Sequence, residues 1–397
     1  MKKTLCAAVA AAMLLSLAAC GLFPQNAQTQ SDGGQTQTQT NTQTQEPEKT
    51  QEETPSDARD ACAARYLSAM TDDEKAGQII FARCPESGGA ADAAKYHLGG
   101  YILFGRDFKN KTANAIIQTV CAYQDAAEAD AGIPLLVGTD EEGGDVVRVS
   151  SNTNIRTQAF ASPQALYAAG GMEKIVSNAR EKSRLLKALG INVNIGPVCD
   201  VTTDSGSYMY TRTFGQGAEA TSEYVESVVE TMKAEDEGSV LKHFPGYGDN
   251  PNTHTGSAVD ERSMEEFTGK DFLPFKAGIT AGADAVLVSH NVMTCADDKN
   301  PASLSPAVHA LLRNDLGFTG VIMTDDLIMD AISEWSGDYP APVQAIIAGN
   351  DMIISTDYRD DYAAVLAAVK DGTISADTLN AAVRRVLEWK YDLGLIK

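Results

Sequence analysis

Between residues 57 and 397 the chain repeats one pattern: a short run of β-branched and other large apolar residues, then a longer stretch with apolar residues at helical spacing. Eight such runs stand at 78–84, 99–105, 134–140, 192–200, 239–244, 285–291, 320–325 and 351–356. Ala285-Val286-Leu287-Val288 and Val321-Ile322-Met323 are apolar throughout instead of alternating. That pattern suits strands covered on both faces, as in a parallel sheet. Between the runs, 218–237, 264–281 and 306–315 read as amphipathic helices. Residues 376–392 close the chain with Leu379, Val383, Val386 and Leu387 on one helical face. Eight strands, each followed by a helix, predict an α/β fold, a (β/α)8 TIM-type barrel in a single domain at 57–397. The competing open, doubly wound sheet would carry a phosphate loop or dinucleotide fingerprint after its first strand, and neither motif is there.

The first 56 residues have a different character. Lys2 and Lys3 precede an apolar run from Leu5 to Leu17, and Leu17-Ala18-Ala19-Cys20-Gly21 resembles a bacterial lipobox. The run is too short to cross ~30 Å of hydrocarbon comfortably. Residues 1–19 are therefore expected to be a lipoprotein signal peptide, and Cys20 the lipidated first residue of the mature chain. Residues 20–56 are dominated by Gln, Thr, Asn, Pro and Glu, with Leu22 and Phe23 the only large apolar side chains. Such a segment buries too little surface to offset its ordering entropy, so a disordered tether is expected. The resulting picture is a protein on the extracytoplasmic face of the cell membrane, held there by acyl chains alone. The charge agrees with it: 32 Lys and Arg against 54 Asp and Glu give a net −22. That sign argues against non-specific binding to nucleic acid or to an anionic membrane surface.

Without Cys6 and Cys20, five cysteines remain (Cys62, Cys84, Cys121, Cys199 and Cys295), with no Cys-x-x-Cys pair. This excludes a zinc ribbon or redox dithiol and allows at most two disulfides, whose pairing stays open. The five histidines show neither His-x-His nor His-Glu-x-x-His, so no metal or other cofactor is expected.

A barrel places its chemistry at the carboxyl ends of its strands. The polar residues there are Asp140, Asp200, Lys242, His243, His290, Asn291, Asp325 and Asp326. One acid after a strand is commonly a helix N-cap. Several converging on one mouth describe a site.

These residues also carry a family resemblance. Lys242-His243-Phe244-Pro245-Gly246-Tyr247-Gly248, followed by Thr253-His254, resembles the Lys-His-Phe-Pro-Gly-His-Gly…Asp-Ser-His signature of family-three glycoside hydrolases, in their β-N-acetylhexosaminidase branch. Asp140-Glu141-Glu142-Gly143-Gly144 is similar to that family's Asp-Gln-Glu-Gly-Gly turn, and Arg212-Thr213-Phe214-Gly215 to its Arg-Ser-Phe-Gly. Gly190 to Asn194 with Pro197 and Asp200 resembles the fourth-strand segment, and Gly317 to Asp326 the nucleophile strand. The motifs keep the family's order over about residues 65–395.

The resemblance implies a retaining β-N-acetylhexosaminidase that removes terminal N-acetylglucosamine from cell-wall-derived or other glycans; a monomer is expected. Asp325 would be the nucleophile and His254 the acid/base, while Asp140, Arg212, Lys242 and His243 would hold the sugar. The chemistry is coherent in itself. An oxocarbenium-like transition state calls for a carboxylate beneath the anomeric carbon. An imidazole with an unperturbed pKa of ~6.5 suits proton exchange near neutrality.

Two departures matter. The family pairs its acid/base histidine with an aspartate two residues earlier, and here that place holds Asn252, with Asp249 as a possible substitute. An amide can orient the ring but brings no charge. Other branches carry a glutamate acid/base on a separate domain after the barrel; no such domain is expected here, which favours the histidine-based branch. Two further readings remain open: a β-N-acetylglucosaminide phosphorylase, and a glycan-binding lipoprotein without turnover.

Overall fold

A computed structural model of the chain describes residues 55–250, 256, 258–335 and 337–397. The expected signal peptide, Cys20 and almost all of the tether lie outside the described residues. So do Asn252 and His254. The chain divides into Met1–Ser56 and Asp57–Lys397, and the second unit is described below.

Its strands, in chain order, are β1 (Ile80–Arg83), β2 (Gly100–Leu103), β3 (Leu136–Thr139), β4 (Val193–Asn194), β5 (Gly238–Phe244), β6 (Val259–Asp260), β7 (Ala285–Val288), β8 (Val292–Met293), β9 (Val321–Thr324) and β10 (Ile353–Ser355). Eight of them form one parallel sheet in the order β10-β1-β2-β3-β4-β5-β7-β9. A parallel bridge between Met323 and Met352 joins β9 to the start of β10 and closes the cylinder. The (β/α)8 barrel expected from the sequence is the fold observed. β6 and β8 pair with each other outside it.

The inner face shows why the runs are apolar on both sides. Phe81, Ile102, Leu136, Val193, Val240, Leu287, Met323 and Ile354 fill the barrel, while Ile80 and Ala82 turn outward to the helices. Phe81 takes the space left by glycines on β2 and β3: a Cβ on Gly100 or on Gly138 would stand 2.7 Å from its ring. Burying one such side chain contributes roughly 1.5–3 kcal/mol.

Helix Ala376–Asp392 has the bounds read from the sequence and starts at Ser375, whose hydroxyl accepts the Thr378 N–H. Val386 and Trp389 seal the barrel floor. Beside them the buried Lys390 ammonium donates to Gln78 Oε1 at 2.7 Å, and burial pushes its pKa down to about 7.

Elsewhere the elements are shorter than expected. The run at 192–200 is a strand only over Val193–Asn194. The helix expected at 264–281 is broken into Met264–Glu266, a π-turn at Phe267–Asp271, and Phe272–Thr280. Pro274 explains the break, because it has no N–H to return to the carbonyl four residues back. The helix expected at 306–315 becomes Pro306–Ala310 and a π-turn at Leu311–Asp315. Cys62, Cys84, Cys199 and Cys295 are free thiols, so none of these four forms a disulfide among the described residues.

Candidate active site

Three strand ends meet through their charges. Asp140 follows β3, and Lys242 and His243 close β5. The Lys242 ammonium donates to Asp140 Oδ1 at 2.7 Å and lies 2.6 Å from Glu142 Oε1. Arg212, on the short 3-10 turn Tyr210–Arg212 after β4, grips the same Glu142 with two N–H groups, at 3.0 and 2.7 Å. Lys242 is 2 % exposed and Glu142 9 %. Burial alone would push the Glu142 carboxyl up, but Lys242 and Arg212 outweigh it and hold it well below the usual carboxylate range. Burial likewise opposes the Lys242 charge, and Asp140 and Glu142 overcome it and raise its pKa. The quartet is charged and mutually paired before any ligand arrives.

His243 is set by a second partnership. Its Nδ1 lies 2.7 Å from Asp200 Oδ2 and its Nε2 lies 3.3 Å from the Arg212 guanidinium. A guanidinium only donates, so Nε2 accepts and the proton sits on Nδ1, facing Asp200. The other Asp200 oxygen accepts the Tyr247 N–H at 2.7 Å, and the Tyr247 ring stands edge-on to the imidazole, 5.5 Å between centroids.

The turn carrying Asp140 is built to hold still. Glu141 is buried and accepts the N–H groups of Arg148 and Val149 at 2.8 and 2.7 Å, as well as the Ser150 hydroxyl. Asn194 at the end of β4 brackets its backbone, accepting Glu141 N–H at 3.0 Å and donating to its carbonyl at 3.2 Å. Gly143 has φ +104°, and a Cβ there would stand 2.3 Å from the Ala161 carbonyl, so only glycine fits. Lys182 donates to the Glu142 carbonyl at 2.8 Å from behind.

Asp325 follows β9, at the same carboxyl-end rim of the barrel. Its N–H donates to the Val288 carbonyl at 2.9 Å. Its Oδ1 accepts the Asp326 N–H at 2.8 Å. Asp326 itself is a structural anchor, accepting the Thr356 N–H at 3.0 Å and the Thr356 hydroxyl at 2.5 Å.

The loop after β5 is fixed at both ends. Arg262 donates to the Gly246 carbonyl at 2.9 Å and to Asp260 and Asp271, and the loop's return pairs as β6 with β8. Asp249 lies on its first part and accepts the Thr202 hydroxyl at 2.8 Å.

Asp140, Arg212, Lys242 and His243 thus stand together, and Asp325 shares their rim. Glu142 and Asp200, given no role from the sequence, are the charges that tie them. No group of three or more His, Cys, Asp or Glu side chains among the described residues is placed to hold a metal ion.

Comparison with known proteins agrees with this geometry. The family model described as the N-terminal domain of glycosyl hydrolase family 3 matches residues 71–389. A β-N-acetylglucosaminidase/β-glucosidase of Cellulomonas fimi is 31% identical over 83% of this chain and 59% of its own length. A β-hexosaminidase of Stenotrophomonas maltophilia is 32% identical over 65% of this chain and 76% of its own. A solved family 3 β-N-acetylglucosaminidase from Paenibacillus sp. superposes with a TM-score of 0.77 at 32% identity, over 82% of this chain and 63% of that one. The chain therefore spans about three-fifths of the length of the first and last of these relatives. A match over most of the barrel, with the paired charges at its mouth, places this chain in glycosyl hydrolase family 3.

Proposed function

We propose that the chain is a retaining β-N-acetylhexosaminidase that releases terminal N-acetylglucosamine from glycans. The observation that carries the reading is the placement of Asp325: a carboxylate on a rigid strand end, one oxygen held by the Asp326 N–H, on the rim where Asp140, Lys242, Arg212 and His243 gather. The relatives named for this activity support it.

The Lys242 ammonium has three donors, two of them directed at Asp140 and Glu142. The third, with the carboxylate of Asp140, binds sugar hydroxyls by charge-assisted bonds. Asp325 attacks the anomeric carbon, forming a glycosyl-enzyme ester as the glycosidic C–O bond breaks. His254 gives its proton to the departing oxygen. It then takes one from the water that cleaves the ester, which restores both groups. Anchoring through Cys20, by the lipobox-like Leu17-Ala18-Ala19-Cys20, puts this activity at the outer face of the membrane, where cell-wall fragments are the available glycans.

The test is hydrolysis of a chromogenic N-acetyl-β-glucosaminide by the wild type and by Asp325→Asn, with and without phosphate. We expect turnover by the wild type, a loss of at least about a thousandfold in kcat for the variant, and free N-acetylglucosamine as product in both buffers. Equal activity of the two proteins ends the mechanism. A sugar phosphate formed only in phosphate makes the enzyme a phosphorylase, and binding without turnover makes it a lectin.

A further inference from the structure

His290 follows β7, between the strand that ends at Val288 and the short β8. It is fully buried. Its Nε2 lies 3.1 Å from the backbone carbonyl of Asp326, and its Nδ1 lies 2.7 Å from Ser303 Oγ. A carbonyl oxygen only accepts, so Nε2 carries a proton and donates it to Asp326. Nδ1 pairs with the Ser303 hydroxyl. His290 thus carries a proton on Nε2, the nitrogen at which His243 accepts.

The carbonyl that His290 holds belongs to the residue whose own N–H grips Asp325 Oδ1 at 2.8 Å. Rotation about the Asp326 backbone would swing that N–H away from the carboxylate. The Asp326 side chain restrains the turn from the β10 side through Thr356, and His290 restrains it from the β7 side. We propose that His290 is a positioning residue for the nucleophile: it fixes the Asp326 peptides so that the Asp325 carboxylate is presented at one angle to the anomeric carbon. The proposal rests on the reading of Asp325 as nucleophile. Misplacing a reacting group by about 1 Å can cost on the order of 100-fold in rate, and it does so without touching the groups that bind the sugar.

Two substitutions separate this role from simple packing. In His290→Gln the amide N–H falls where Nε2 lies and still reaches the Asp326 carbonyl. In His290→Asn the amide falls where Nδ1 lies, so the Ser303 bond is kept and the Asp326 bond is lost. On the chromogenic substrate we expect His290→Asn to lose about 10- to 100-fold in kcat, with KM within about twofold of wild type. His290→Gln should stay within about threefold in kcat. Equal losses in the two variants, an unchanged kcat in His290→Asn, or a shift confined to KM would each overturn the proposal. If the His290 variants do not fold, Ser303→Ala frees the ring at Nδ1. A fall in kcat at constant KM then supports the role, and wild-type kinetics refute it. Asp325→Asn is measured alongside. Should it remain active, the nucleophile reading has failed; should it be dead while the His290 variants do not split, only the positioning role has.

Discussion

Replacing Glu142 by glutamine would keep the shape of the quartet and remove the charge at its centre. Lys242 and Arg212 would then share one carboxylate, Asp140, in a setting where Lys242 is 2 % exposed. Breaking a buried pair from one side costs about 3–5 kcal/mol. We therefore expect Glu142→Gln to lower the stability read from a denaturant midpoint by that order, and kcat/KM by at least about 100-fold. Of three adjacent acids, the sequence marks only Asp140 for a role. Glu141 spends its carboxylate on the amides of its own turn, and Glu142 spends its on two strands' worth of cations. Both look alike in the sequence, because the difference is the direction of a side chain just before a Gly-Gly turn. Asp200 was legible as a polar strand end, and its partner was not, since the contact with His243 spans 43 residues of chain.

At the scale of elements, period and composition read well where packing follows them. The last helix was legible to the residue because its apolar stripe and its Ser375 cap agree. The segment from 264 to 280 was not, because one proline outweighs an otherwise helical pattern. That last helix also buries a charge-bearing group in the barrel floor. With a folded-state pKa near 7 against an ordinary value of 10.5, Lys390 binds its proton more tightly in the unfolded chain. Between about pH 7 and 10.5 the unfolded state holds the extra proton, so stability rises with pH across that window. Lys390→Met removes one proton from this linkage. The slope of unfolding free energy against pH should fall by up to about 1.4 kcal/mol per pH unit, measured by urea melts from pH 7 to 10. An unchanged slope would show that the ammonium keeps its charge through a route other than burial.

For the whole molecule, the barrel was legible because eight runs apolar on both faces admit few architectures, and its closure was not, because it depends on one bridge. The paired groups of the rim all belong to residues 57–397. A Cys20→Ser form is accordingly expected to move from the detergent phase to the aqueous phase of a phase-partition assay. Its kcat/KM on the soluble chromogenic substrate should match the wild type within about twofold. Retention in the detergent phase would count against the lipid anchor.

The Met323–Met352 bridge gives the cylinder a seam, and the seam borders the strand that ends in Asp325. Thr324 N–H reaches the Met352 carbonyl at 3.3 Å, while both Asp351 and Met352 N–H share the single Ile322 carbonyl. Where a ladder is this sparse, transient opening takes less free energy than across β2 and β3, which pair at four positions. A sugar bonded to Asp325 would splint that margin. Deuterium uptake at Thr324 and Met352 should therefore slow in a trapped glycosyl-enzyme, while uptake at Tyr101 and Val137 stays as it was, so that occupancy of the pocket can be timed from the backbone behind it.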